Sequence, residues 1–232
     1  MRVSVLSLFL AIGSCYSQCP NVPINPPGQP IRVEATAGIW YEYHFRNGPD
    51  PATDESGQNV VMNVTVRDAL PGGRQPSYVV TRYYMFLSDS DPKKAECASI
   101  NQLGNWTADG VRQTLSDFGD GTIENVTYIN LFTDYNLLQI LYRCQTKNAD
   151  GKRCDLPYMW INTRVPPPQL KDYQKQYIEA ASNYYLGQVC RKFSDTSATP
   201  YDVTLTNNCN VDQGKPAPSA NFAVELKKFG IK

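Results

Sequence analysis

One histidine, His44, stands in a chain of 232 residues, which excludes metal sites built on several imidazoles and any mechanism that needs two of them. Neither sign of charge dominates. Lys plus Arg and Asp plus Glu are 22 each, so no net field exists to hold a polyanion such as nucleic acid. No two cysteines have C-x-x-C spacing, which leaves zinc-ribbon and thioredoxin-like chemistry without support. A Ser/His/Asp spacing, a phosphate loop and a metal cluster are all missing, so the sequence reads as a binding protein and not as an enzyme. After the first residues no apolar run is long enough to span a bilayer. Charged residues are few at 19%, whereas 15 Tyr and 17 Pro are many for this length, a balance that leans towards strands and turns.

What is present begins with an address. Arg2 supplies a positive start, Val3 to Ile12 is apolar apart from Ser4 and Ser7, and Cys15-Tyr16-Ser17 offers small residues around a cleavage point. Residues 1–17 are expected to be a secretory signal peptide. Removing them takes Cys15 away and leaves Cys19, Cys97, Cys144, Cys154, Cys190 and Cys209, an even set that implies three disulfides in a secreted chain. Three sequons, at Asn63, Asn105 and Asn125, agree with export and mark strand faces that look outward.

The mature chain opens with a Pro-rich, extended arm over 18–37. Eight short runs rich in Val, Tyr, Thr and Phe follow, near 38–46, 58–67, 77–88, 95–103, 111–118, 122–132, 136–145 and 156–164, with turn chemistry between them. The segment 166–209 starts with Pro166, Pro167 and Pro168 and enters a helix over 170–186. On it Leu170, Tyr173, Tyr177, Ala181 and Tyr184 form an apolar stripe that must bury against something, and Gly187 is placed to end it. A flexible tail is expected over 210–232. Alternation places Val60, Met62, Val64 and Val66 on one face of the second run, and Val126, Tyr128 and Phe132 on the inner face of the sixth. Eight such strands and one helix fit an all-β, up-and-down antiparallel barrel over 38–165 that encloses a cavity for one small ligand.

Gly38-Ile39-Trp40-Tyr41-Glu42 resembles the G-x-W-Y-E signature of the lipocalins. Thr133-Asp134-Tyr135, before a strand ending in Tyr142-Arg143-Cys144, is similar to the second motif of that family, and Trp160-Ile161-Asn162-Thr163-Arg164 to the third. The resemblance spans roughly residues 19–209 and is nearest to the invertebrate bilin-binding, apolipoprotein D and crustacyanin branch. It implies structural roles for Gly38, Trp40, Thr133, Asp134, Tyr135 and Arg164, with the guanidinium lying across the indole, a contact of about 0.5–2 kcal/mol. It also implies disulfides pairing Cys19 with Cys144, Cys154 with Cys190 and Cys97 with Cys209.

The resemblance implies a soluble, extracellular carrier of a small hydrophobic molecule, such as a bilin, carotenoid, retinoid, steroid or fatty acid. Met62, Val64, Tyr83, Met85, Tyr128, Leu138, Tyr142 and Trp160 are the expected ligand-binding wall, and Trp160 would offer a stacking face. No cofactor is required, and a bilin or carotenoid is the pigment such a cavity would take. The alternative is a defence protein that sequesters an amine or lipid mediator. Amine capture needs inward carboxylates, of which Glu124 is the one candidate, and it sits at the exposed start of its strand. His44 is expected on the Trp40 face of the first strand, as part of the barrel wall or rim.

Overall fold

In a computed structural model the described residues are 22–48, 58–67, 78–87, 96–107, 109–117 and 122–201, with side chains described except at 58, 67, 78–87 and 96–99. Cys19, Cys209, the expected signal peptide and the expected tail lie outside them.

Alternating apolar and polar residues bounded by turns produce the strands β1 (Gly38–Arg46), β2 (Gln58–Arg67), β3 (Tyr78–Leu87) and β4 (Glu96–Trp106). They are followed by β5 (Val111–Asp117), β6 (Ile123–Thr133), β7 (Leu138–Lys147), β8 (Cys154–Thr163), the helix α1 (Asp172–Leu186) and the two-residue β9 (Ser197–Ala198). Every neighbouring pair from β2 to β8 is antiparallel, β8 pairs with β1, and β1 pairs back with β2 from Gly38–Val64 to Tyr41–Val61. The sheet therefore closes on itself as an eight-stranded barrel, with no open edge along β1–β8 in the order of pairing.

Beyond Tyr41 the register of β1 with β2 ends. There the short β9 lies beside β1, His44 opposite Ala198, and the Asn59 N–H donates to the Pro200 carbonyl at 2.9 Å, so the C-terminal segment bridges the gap between the two strands. This strand is not visible in the sequence, because two residues carry no periodicity.

Two apolar cores result. One fills the barrel around Trp40, Val60, Met62, Val64, Trp106 and Leu141. The other lies outside it, where Ile178, Leu186 and Val189 pack on Leu131, Leu138, Ile140, Tyr142, Met159 and Ile161. The helix is thus the lid of an outer core on β6–β8. Its buried face is Ile178, Ser182 and Leu186, whereas Tyr173, Tyr177 and Tyr184 are 65%, 41% and 70% exposed. The expected stripe is corrected at those three tyrosines. Close approach to the sheet selects the smaller side chains, and the tyrosines, amphipathic by their hydroxyls, stay in water. The helix ends at Leu186, Gly187 begins a 3-10 turn, and the left-handed residue is Cys190, at φ 57°.

The disulfide pairing is also corrected. Cys144 and Cys154 are bonded to each other across the β7–β8 hairpin, with their Cα atoms 5.6 Å apart. Register shifts on either side of Thr146 bring these two residues into bridging distance although Cys144 is opposite Pro157. Neither can then hold Cys19 or Cys190. Cys190 is disulfide-bonded as well, to a cysteine whose side chain is outside the described residues. The arm nevertheless runs beside this hairpin: the Cys154 N–H donates to the Val22 carbonyl at 2.8 Å, and the Tyr142 hydroxyl donates to that of Pro23.

Candidate functional site

Strand direction gives the barrel two different ends. At one, the starts of β1, β5 and β7 meet the ends of β4, β6 and β8. Here the Trp40 indole is fully buried and donates to the Thr36 carbonyl at 2.9 Å, and the Arg164 guanidinium lies 3.8 Å from the centre of its ring. Arg164 donates further to the carbonyls of Tyr135, Ile39 and Ala35 at 3.2, 3.1 and 3.0 Å, and burial lowers its pKa from the usual arginine value. Gly38, at φ +105°, is needed there, because a Cβ would stand 3.0 Å from Arg164 Nη1. The Asp134 carboxylate accepts the N–H groups of Asn136, Leu137 and Leu138 at 2.8–3.0 Å, which shapes the β6–β7 turn, and the Thr133 hydroxyl accepts the Tyr135 N–H. The second oxygen of Asp134 accepts the Tyr177 hydroxyl at 3.0 Å; burial and this bond push the phenol up to about 12. Together Gly38, Trp40, Thr133, Asp134, Tyr135 and Arg164 form one connected plug, which closes this end.

Above the plug the inner wall is half apolar and half polar. Val60, Met62 and Val64 of β2 face Trp40 and Leu141, as the alternation predicts. Opposite them stands a polar arc that the sequence reading missed. Arg112 donates to Gln102 Oε1 at 2.9 Å, Gln102 Nε2 donates to the hydroxyls of Ser116 and Tyr128, and the guanidinium lies 5.3 Å and 4.7 Å from the rings of Trp106 and Tyr128. Gly104 makes room for this packing: a Cβ there would stand 2.6 Å from Thr114 Oγ1 and 3.0 Å from Arg112 Cγ. Trp106 was reachable from the sequence, since it continues the alternation of Ile100, Gln102 and Gly104; the expected end of this strand at 103 hid it.

Nearer the other end the wall is less covered. Trp160 and Tyr158 are only half-buried, their rings 5.9 Å apart, and Trp160 meets Tyr128 edge to face at 5.4 Å. Phe45 is opposite Trp160 in register, and Arg143 opposite Tyr158. Arg143 and Glu124 approach to 3.6 Å at the mouth.

The residues expected to form the ligand wall lie in more than one place. Met62, Val64, Tyr128 and Trp160 line the interior. Tyr83 is opposite Met62 in register and Met85 opposite Ala98, and their side chains lie outside those described. Leu138 and Tyr142 are corrected: both are fully buried in the outer core beneath α1, and the inward residues of β7 are Gln139, Leu141 and Arg143. A second correction concerns Phe132. A register shift between Asn130 and Phe132 reverses the phase of β6, and Phe132 stacks on Tyr185 of the helix at 4.2 Å.

The same effect displaces His44. A bulge between Glu42 and His44 turns the imidazole out of the barrel and brings Phe45 in. There it lies 4.2 Å from the Phe193 ring, with Nδ1 3.1 Å from Thr196 Oγ1, and burial lowers its pKa to about 4. Glu42, by contrast, is opposite Asn162 inside the barrel, buried, and accepts a hydrogen bond from the Thr199 hydroxyl at 2.9 Å. It is an inward carboxylate that the sequence reading did not single out. Of the sequons, Asn125 is exposed on the outer face, while Asn63 and Asn105 are half-buried. Among the described residues no cluster of His, Cys, Asp and Glu could hold a metal ion, and no helix is long and apolar enough to cross a membrane.

A closed eight-stranded barrel, plugged at one end by a Trp–Arg pair and flanked by one helix, is the lipocalin fold. No protein-family model matches the sequence, and no curated protein matches it. Solved structures do. The chain is similar to insecticyanin from the tobacco hornworm Manduca sexta, at 16% identity over 81% of this chain and 88% of that one, with a TM-score of 0.56. It is similar to the amine binding protein of Rhodnius prolixus, solved as a tryptamine complex, at 14% identity over 77% and 86%, with a TM-score of 0.51. Lobster apocrustacyanin A1 shares 16% identity over 81% and 95%, with a TM-score of 0.50. These identities establish the shared fold.

Proposed function

We propose that this chain is an exported carrier that holds a small, largely apolar molecule in the upper half of its barrel. The observation that supports this most is the contrast along the barrel axis. One end is sealed by a buried indole and a guanidinium held by that ring and three backbone carbonyls, while at the other Trp160 and Tyr158 present partly uncovered aromatic surface to the interior. Conjugated molecules such as bilins, carotenoids and retinoids suit such faces, and the Tyr128 hydroxyl at the edge of the polar arc adds a fixed hydrogen-bonding group. Disulfides at Cys144–Cys154 and at Cys190 favour an oxidising compartment, which agrees with the expected signal peptide and with glycans at Asn63, Asn105 and Asn125.

A second reading, sequestration of an amine mediator, gains from Glu42, the buried inward carboxylate. The two are separated by titrating the purified chain with biliverdin, retinol, palmitate and tryptamine, following ligand absorbance or calorimetric heat. Saturable binding of biliverdin or retinol with none of tryptamine supports the carrier. Binding of tryptamine alone, lost in Glu42→Gln, would replace it with the amine reading.

A further inference from the structure

We infer that the cup, the half of the barrel above the plug, selects apolar or aromatic molecules that carry a carboxylate, and that Arg143 is the residue that recognises it. The inference rests on the carrier reading and names the class of molecule carried. Arg143 is on the inner face of β7, one strand position above Leu141 on that face, and directly opposite Tyr158. Its side chain is only 15% exposed. Among the described residues it makes no hydrogen bond: its contacts are the Glu124 carboxylate, at 3.6 Å and 47% exposed, and the Tyr158 ring, at 5.9 Å.

The Arg143 side chain is mostly covered, its guanidinium carries five donors in a fixed fork, and a long pair with a half-exposed carboxylate leaves that fork without a close partner among the described residues. A ligand carboxylate can meet the fork with two parallel charge-assisted bonds, a geometry Glu124 does not reach. The rest of the ligand then lies along Tyr158 and Trp160 towards Tyr128, so that head and body have separate contacts.

Among the described residues the other charges on the inner face do not compete for this role. Glu42 is further down, held by Thr199, and Arg112 is engaged with Gln102 in the wall. The arrangement is selective: an amine head would be repelled by Arg143, and a neutral alcohol would leave the fork without its charged partner.

The test uses two matched pairs of probes, retinoic acid with retinol and 1-pyrenebutyric acid with 1-pyrenebutanol, titrated into the full chain and followed by probe fluorescence. Each acid is expected to bind at least tenfold more tightly than its alcohol. Arg143→Gln should bring acid and alcohol to within about twofold, chiefly by weakening the acid, and a cooperative urea-unfolding transition reports separately that the barrel is folded. Arg143→Lys should retain part of the preference. Glu124→Gln should tighten the acids by severalfold. Alcohols binding as well as acids, or an acid preference that survives Arg143→Gln, would overturn the proposal and leave the carrier reading intact. If no member of either pair binds, the carrier reading falls and this one with it.

Discussion

The two ends of the barrel use the same residue types for opposite purposes. At the plug, Trp40 is fully buried, its N–H is bonded, and the arginine over it donates to three backbone carbonyls. At the cup, Trp160 is half-buried, and the nearby arginine, Arg143, has a long ion pair and no hydrogen bond among the described residues. Saturated contacts give rigidity, and unsaturated ones leave chemistry to offer. An aromatic–arginine pair in such a barrel is distinguished by its hydrogen bonds, and not by its residue types.

The largest effect should come from breaking the plug. Trp40→Ala is expected to cost about 3–5 kcal/mol, the usual range for a buried aromatic, as read by urea unfolding. Any loss of ligand binding should then follow the unfolded fraction. The next concerns His44, which lies outside the barrel beneath Phe193 and next to the strand that bridges β1 and β2. Its folded pKa, about 4, is below the unfolded value of about 6.5. The unfolded chain therefore binds the proton first as pH falls, so this contribution is present above about pH 6.5 and is lost between there and pH 4. The expected loss is about 3 kcal/mol, and His44→Asn should flatten that part of the stability–pH curve. A slope unchanged by the substitution would show that the imidazole is not sequestered. Somewhat smaller is the staple of the β7–β8 hairpin. With Cys144 and Cys154 at a sequence separation of 10, replacing both by Ala should cost roughly 2–3 kcal/mol by loop entropy, and peptide mapping without reductant should recover these two cysteines in one linked fragment.

The eight barrel strands and the helix were legible because their periodicity is sustained over seven residues or more. The plug was legible because its parts occur as three local motifs. Faces were legible only where one side of a strand meets water. On β2 the polar side is outside, and Met62 and Val64 were placed correctly inside. On β7 both sides are covered, and the more apolar one, Leu138, Ile140 and Tyr142, is turned to the helix, so choosing the greasier face as inner gave the wrong answer. Bulges at Glu42/His44 and Asn130/Phe132 invert the phase without any Gly or Pro to announce them. Arg112 and Gln102 were missed for a related reason: a search for an apolar wall passes over polar residues that satisfy one another.

The claim that the outer core stabilises and the cup binds is tested most directly by a crossed pair of variants, Leu138→Ala and Trp160→Leu. Each is measured by urea unfolding and by titration with retinol, read from the retinol's own absorbance. Leu138→Ala is expected to lose about 2–4 kcal/mol of stability and to bind retinol as wild type does under conditions where it is folded. Trp160→Leu is expected to lose less than about 1.5 kcal/mol and to weaken retinol at least tenfold. The reverse pattern, with retinol affinity following Leu138 and stability following Trp160, would contradict the assignment of faces and the ligand site built on it.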